Sequence, residues 1–218
     1  MKDLNEYMLE KLIINKDVTS KDYKYFPKTK KELKEIIEEK MKAWENWEGE
    51  GEKPDELDLN DINVSLITDM SELFDSYSTK IPYKLYKINC SDWDCSEVTD
   101  FSYMFKGTNF THINVSNWRT YKGRKFDGMF SRCDNLQELN LSDWIVSSAQ
   151  SMKFMFYGCE SLKTIGDISK WNIKQVMQMR RMFYNCRSLQ LDMTKLKFNK
   201  KANIEDINLS ASNVKIPE

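Results

Sequence analysis

Three cysteines, Cys133, Cys159 and Cys186, recur at intervals of 26 and 27 residues. Regularly spaced thiols could ligate a metal or cross-link their neighbours. A zinc site built on thiolates favours cysteine pairs in the CxxC spacing, which puts two sulfurs on one ion, and the chain has no such pair. Thiols carried on stacked helices would sit about 8–10 Å apart, beyond the roughly 7 Å between Cα atoms that a disulfide can span. The three therefore read as small buried hydrophobes, and so do Cys90 and Cys95. His112 is the single histidine. Imidazole titrates near neutrality and suits a general base, but no GxSxG elbow or cysteine-centred nucleophile motif accompanies it. The seven glycines are scattered among turns rather than gathered into a phosphate-cradling loop. No catalytic set, metal or cofactor is expected.

The most regular polar feature is a column of Asx residues: Asp58, Asn89, Asn114, Asn140, Asp167 and Asp192. Two positions later stand Asn60, Ser91, Ser116, Ser142, Ser169 and Thr194. On the open side of a sheet such a strip could bind a cation, a sugar or a peptide. Asn, Ser and Thr side chains also satisfy nearby backbone groups with no ligand at all. Three asparagines separate the first carboxylate from the other two, which favours the structural reading.

These columns belong to a repeat. Trp93, Trp118, Trp144 and Trp171 each have a phenylalanine 12 residues later, Phe105, Phe130, Phe156 and Phe183. Ile62 and Phe74 keep the same offset, and Leu196 opens a worn copy whose matching position is Asn208. A fixed internal offset with drifting copy length marks a repeated unit whose length tolerance lies in one loop. Taking Ile62, the four tryptophans and Leu196 as markers of copies one to six, the residues three before are apolar: Leu59, Cys90, Val115, Leu141, Ile168 and Met193. So are those five before, Leu57, Ile88, Ile113, Leu139 and Leu191, except that Gly166 in the fifth copy yields its place to Ile165 across a one-residue bulge. Apolar and polar residues alternate, so each copy opens with a short half-buried strand.

Eight, eleven and twelve residues after the marker the spacing turns helical. Met70, Phe101, Phe126, Met152, Met179 and Ile204 form one column, and Leu73, Met104, Met129, Met155, Met182 and Ile207 the next. The i, i+3, i+4 pattern predicts a short helix with a Met/Phe inner face, capped in two copies by Asp69 and Asp100. Strand–turn–helix units stacked side by side bury a continuous core. The expectation is an α/β fold: a leucine-rich-repeat-like solenoid of about six strand–helix repeats over residues 57–218, with the extra length of the first step looping out near Pro82.

Residues 1–56 read as a helical N-terminal cap. Leu4, Met8 and Leu12, with Leu9 and Ile13, mark a first helix. Thr29 and Glu32 form a capping-box signal ahead of Leu33, Ile36, Ile37, Met41 and Trp44. The whole chain carries 33 basic and 34 acidic residues, without the clustered basic surface that nucleic acid requires. No apolar run approaches the roughly 20 residues of a membrane span. An N-terminus rich in acids shows no export signal, and five cysteines without one suggest a reducing, cytoplasmic setting.

The strings at 68–74 (TDMSELF), 91–105 (SDWDCSEVTDFSYMF) and 155–162 (MFYGCESL) resemble the 26-residue repeat of bacterial surface proteins, the BspA-like relative of leucine-rich repeats. The resemblance covers about residues 57–209. It implies a multi-repeat adhesion or interaction module, often exported or surface-anchored, although no lipoprotein signal or anchor is visible here. Met1-Lys2, Asn5-Glu6-Tyr7-Met8 and Glu10 are similar to the capsid-targeting segments of tailed-phage internal head proteins. That similarity implies a virion structural or packaged capsid protein as the alternative.

The expected function is a non-catalytic protein-interaction module with a protein partner. On a rigid repeating frame, partner choice resides in the positions that vary. Those are Asp94, Arg119, Ile145, Asn172 and Lys197, one after the marker, extended by Tyr121, Lys122, Lys174 and Gln175. Asp94, Arg119, Tyr121, Lys122, Asn172, Lys174 and Gln175 are the expected partner-binding residues.

Overall fold

In a computed structural model, which describes residues 23–217, Thr29 opens α1 (Lys30–Glu45). Its hydroxyl accepts from the Glu32 N–H at 3.2 Å, while the Glu32 carboxylate accepts from the Lys28 N–H at 2.7 Å. The expected capping box forms, reaching one residue further back than the usual arrangement. Leu33, Ile37, Met41 and Trp44 are buried in the same core as the repeats. Just ahead of α1, Tyr25 pairs in parallel with Ile62. The helix expected around Leu4–Ile13, and the segment similar to capsid-targeting sequences, lie outside the described residues.

The strands are β1 (Leu57–Asp58), β2 (Lys87–Asn89), β3 (His112–Asn114), β4 (Leu191–Asp192) and β5 (Val214–Lys215). Parallel pairing joins β1–β2–β3 into one small sheet and β4–β5 into another. Leu57 stands opposite Ile88, and Ile88 opposite Ile113, as the apolar column requires. The fourth and fifth copies reduce to single bridges, His112 to Glu138 and Glu138 to Thr164. Ile165 is buried and its carbonyl accepts from Leu141 N–H at 3.0 Å, with Gly166 bulged at φ +82°. The Ile165-for-Gly166 substitution in the core column is what the chain adopts.

The expected solenoid of about six strand–helix repeats does not form. Among the described residues α1 is the single helix, and the rest is a few short strands in two small parallel sheets together with turns. The Met/Phe segments that carry helical spacing are successive tight turns, and the reason lies in the backbone. In the first five copies, the N–H groups eight, ten, twelve and fourteen positions after the marker donate outward to the next copy. Phe101, Tyr103, Phe105 and Gly107 donate to the carbonyls of Lys125, Asp127, Met129 and Ser131 at 2.8–2.9 Å. Odd positions close turns within the copy, as Met104 does to Phe101 and Lys106 to Tyr103. Donors committed to a neighbour cannot form i→i−4 bonds.

A left-handed residue ten positions after every marker enforces this. Glu72, Tyr103, Gly128, Phe154, Arg181 and Asp206 have φ between 52° and 60°. Gly107, Arg132, Gly158, Asn185 and Ser210, at fourteen, are left-handed too. One such residue interrupts an α-helix. Asp69 and Asp100 cap no helix. Each closes a turn instead, accepting from the N–H of Ser71 at 2.7 Å and of Ser102 at 2.9 Å.

Aromatic rings fill the interior as expected. Phe74, Phe105, Phe130, Phe156 and Phe183 form one unbroken stack with centroids 5.1–5.6 Å apart. Trp93, Trp118 and Trp144 form a second, at 6.1 and 5.9 Å. All are buried.

Candidate interaction surface

All six Asx side chains close turns. Asp58, Asn89, Asn114, Asn140, Asp167 and Asp192 each accept, through a side-chain oxygen, the N–H two residues on, at 2.9–3.4 Å. The Ser169 and Thr194 hydrogen bonds hold the Asp167 and Asp192 carboxyls below the usual carboxylate range. The column terminates strands, as Asx turns do elsewhere.

The cysteines have an equally local role. The thiols of Cys133, Cys159 and Cys186 donate to the carbonyls of Phe105, Phe130 and Phe156 in the preceding copy at 2.9–3.0 Å. All five cysteines are buried and unpaired. Burial pushes the Cys133 and Cys186 thiols up to about 12. His112 is exposed on β3, its Nδ1 2.9 Å from the Thr111 hydroxyl, in register with Lys87 and Glu138. No group of three or more His, Cys, Asp or Glu side chains placed to hold a metal occurs among the described residues. No helix among them is long and apolar enough to cross a membrane.

The expected partner-binding residues divide into two sets. Asp94, Arg119, Tyr121 and Lys122 occupy the adjacent second and third copies. Asn172, Lys174 and Gln175 stand in the fifth, with Ile145, Ser147 and Ser148 of the fourth between them. Asp94 and Asn172 are engaged locally, accepting from the N–H groups of Ser96 at 3.1 Å and Lys174 at 3.4 Å. Lys122 Nζ sits 2.7 Å from both Glu97 carboxylate oxygens, and that hydrogen bond raises its pKa. Arg119 and Tyr121 are half-buried, whereas Lys174 and Gln175 are exposed.

A different band, on the turn face, groups aromatic rings with basic side chains. The rings of Tyr157 and Tyr184 stack 5.0 Å apart at 10°. Phe154 meets Tyr157 edge-on at 6.0 Å. The guanidinium of Arg132 lies over Tyr157 at 5.8 Å and that of Arg181 over Tyr184 at 5.6 Å. Further along, Lys106 lies 4.8 Å from the exposed Tyr77 ring and 5.4 Å from Tyr103. These rings occupy the positions ten, thirteen and fifteen after the marker. Positions ten and thirteen share a face in a helix as well, so their spacing alone does not distinguish this grouping from one on a helix. The signal that was readable is the Tyr157–Tyr184 recurrence, 27 residues apart and in step with Trp144 and Trp171.

No curated protein matches the chain. No solved structure matches it. Nothing in these comparisons supports the similarity to phage capsid-targeting segments. One protein family matches twice, over residues 42–165 and again over 125–217, so its pattern runs through the repeat that the Trp–Phe frame marks. The chain therefore belongs to the family described as Mycoplasma protein of unknown function, DUF285.

Proposed function

We propose that the protein is a non-catalytic protein-binding module that presents the turn-face tyrosines and arginines to a protein partner. The observation that carries this reading is the Tyr157–Tyr184 stack, half-exposed and flanked by Arg132 and Arg181. Tyrosine and arginine are the residues that most often anchor protein interfaces, since each brings a large rigid contact area with a polar edge. Here the rings are already stacked on a hydrogen-bonded backbone, so little side-chain freedom remains to be lost on binding. The resemblance to BspA-like repeat proteins points the same way. Asp94, Arg119, Tyr121 and Lys122, with Asn172, Lys174 and Gln175, are a second, more polar set of candidate contacts.

The test is affinity capture from the native source, followed by titration of the captured partner against two variants. The reading expects Tyr157→Ala/Tyr184→Ala to weaken binding about tenfold or more, and Arg119→Glu/Lys174→Glu to weaken it less. Unchanged affinity in both variants, with folding intact, overturns the reading.

A further inference from the structure

Charge is balanced over the whole chain but not along it. Residues 45–56 hold six acids and one lysine, a net of −5, whereas residues 168–204 hold nine basic residues and one acid, a net of +8. Within the basic stretch, Arg180 and Arg181 lie 3.2 and 3.0 Å from Glu205 and Asp206, and Arg187 donates to Asn185 at 2.7 Å. Lys170, Lys174, Lys195, Lys197 and Lys200 are exposed, and no ion pair between described residues engages them. All five stand between one before and four after the marker in the fifth and sixth copies. The Asn199 amide ties these two copies together by donating to Lys174 O at 2.9 Å. It also lies 3.2 Å from the sulfur of Met177, which is 40% exposed. The one acid of the stretch, Asp192, already accepts from the N–H and the hydroxyl of Thr194.

The acidic stretch follows α1, and residues 45–55 are all exposed. Asp55 pairs with Lys87 at 2.7 Å. Lys53 is drawn over the Trp44 ring and donates to Glu45 O at 3.1 Å. No ion pair between described residues engages Glu48, Glu50 or Glu52. In their midst Trp47 is 41% exposed. A Cβ at Gly49 would overlap its indole, so the ring lies over that glycine.

We propose that the lysine face of one molecule binds the Trp47 turn of a second copy of this chain. Trp47 supplies the aromatic anchor that dominates many interfaces. It is set against Met177, whose thioether makes favourable contacts with aromatic rings, while Glu48, Glu50 and Glu52 meet the lysines. Two lysine faces repel each other, so the contact is head to tail rather than two-fold, and each added molecule offers a further face. The two surfaces of one molecule do not meet, because four rungs at about 4.8 Å put roughly 20 Å between the first copy and the fifth. None of these groups is a turn-face tyrosine or arginine. The inference therefore goes beyond the turn-face reading, and either can fail without the other.

The test is sedimentation velocity of the whole, nuclease-treated protein. The expected result is a sedimentation coefficient that rises with protein concentration in about 0.1 M salt and falls to the monomer value in about 1 M, as the screening length drops from about 10 to about 3 Å. Lys197→Glu/Lys200→Glu and Glu48→Lys/Glu50→Lys should each weaken association about tenfold or more with circular dichroism unchanged, and Trp47→Ala about tenfold. Glu48→Gln/Glu50→Gln gives a smaller loss and serves where the lysine variant does not fold. Mixed in equal amounts, the two charge-reversed proteins should associate again, because each offers the sign of charge that the other needs. A monomer at the highest soluble concentration in low salt overturns the proposal. So does association that the charge-reversed variants leave unchanged, or that their mixture fails to restore.

Discussion

The indole N–H of Trp118 donates to the carbonyl of Cys90 at 2.7 Å. Trp93, Trp144 and Trp171 make the same bond to Leu59, Val115 and Leu141 at 2.9–3.3 Å. Each tryptophan therefore acts twice, as a buried ring in the interior and as a tether to the strand of the copy before it. A phenylalanine could supply the ring but not the tether. This accounts for tryptophan rather than phenylalanine at the marker of copies two to five.

Trp144→Ala is expected to destabilise by about 3–5 kcal/mol through the cavity it leaves. Trp144→Phe is expected to cost about 1–2 kcal/mol, mainly through the lost hydrogen bond. Urea unfolding monitored by circular dichroism checks both. A change below about 1 kcal/mol for the alanine variant contradicts a core role.

Left-handed turns respond to β-carbons in opposite directions at two sites. A Cβ at Gly128, whose φ is +56°, would overlap the Tyr103 ring, so Gly128→Ala is expected to cost about 1–3 kcal/mol. Ser210, at φ +62°, is exposed and already carries the steric cost of that conformation, so Ser210→Gly is expected to stabilise by roughly 0.5–1 kcal/mol. A double-mutant cycle of Gly128→Ala with Tyr103→Ala should recover part of the loss, which isolates the ring clash.

The buried thiols make stability fall in alkali. Burial raises Cys133 and Cys186 from an ordinary value of 9.0 to about 12. The unfolded chain therefore releases these protons first. Their contribution is intact below pH 9 and declines as pH rises from 9 towards 12. Cys133→Ala/Cys186→Ala should flatten that decline in thermal melts recorded across the range. The five thiols of the folded protein should stay unreactive to a thiol reagent at pH 8 and all titrate in denaturant.

Asn114→Ala removes a turn acceptor at the end of β3. It is expected to lower stability by about 1 kcal/mol while leaving partner affinity unchanged. Reduced affinity with unchanged stability would instead make the Asx strip a binding surface.

Much of the architecture is legible in the residues. The Trp–Phe offset sets the copy boundaries and the register. The alternation around Ile88 and Ile113 gives the strands, and Thr29 and Glu32 start α1. These features depend on contacts within a few residues or on the burial of one column, and side-chain type records both. The capping pair and the buried face of α1 are local in the same way.

The conformation between Met70 and Phe74, and its equivalents in each copy, is not recorded in this manner. An i, i+3, i+4 set of Met and Phe suits a helix, and equally suits paired turns that point the same three side chains inward. The choice falls on where alternate N–H groups find acceptors, and those acceptors are carbonyls about 25 residues away. Nor does side-chain type reveal the left-handed residues, since only Gly128 among those at position ten is glycine; the ladder holds Tyr103, Phe154 and Arg181 in a conformation they would not choose alone. The sequence by itself determined which residues are buried and in what period. The tertiary structure alone decided that the chain turns where a helix was expected, because a hydrogen bond to the next copy satisfies a donor that a helix would have used within its own copy.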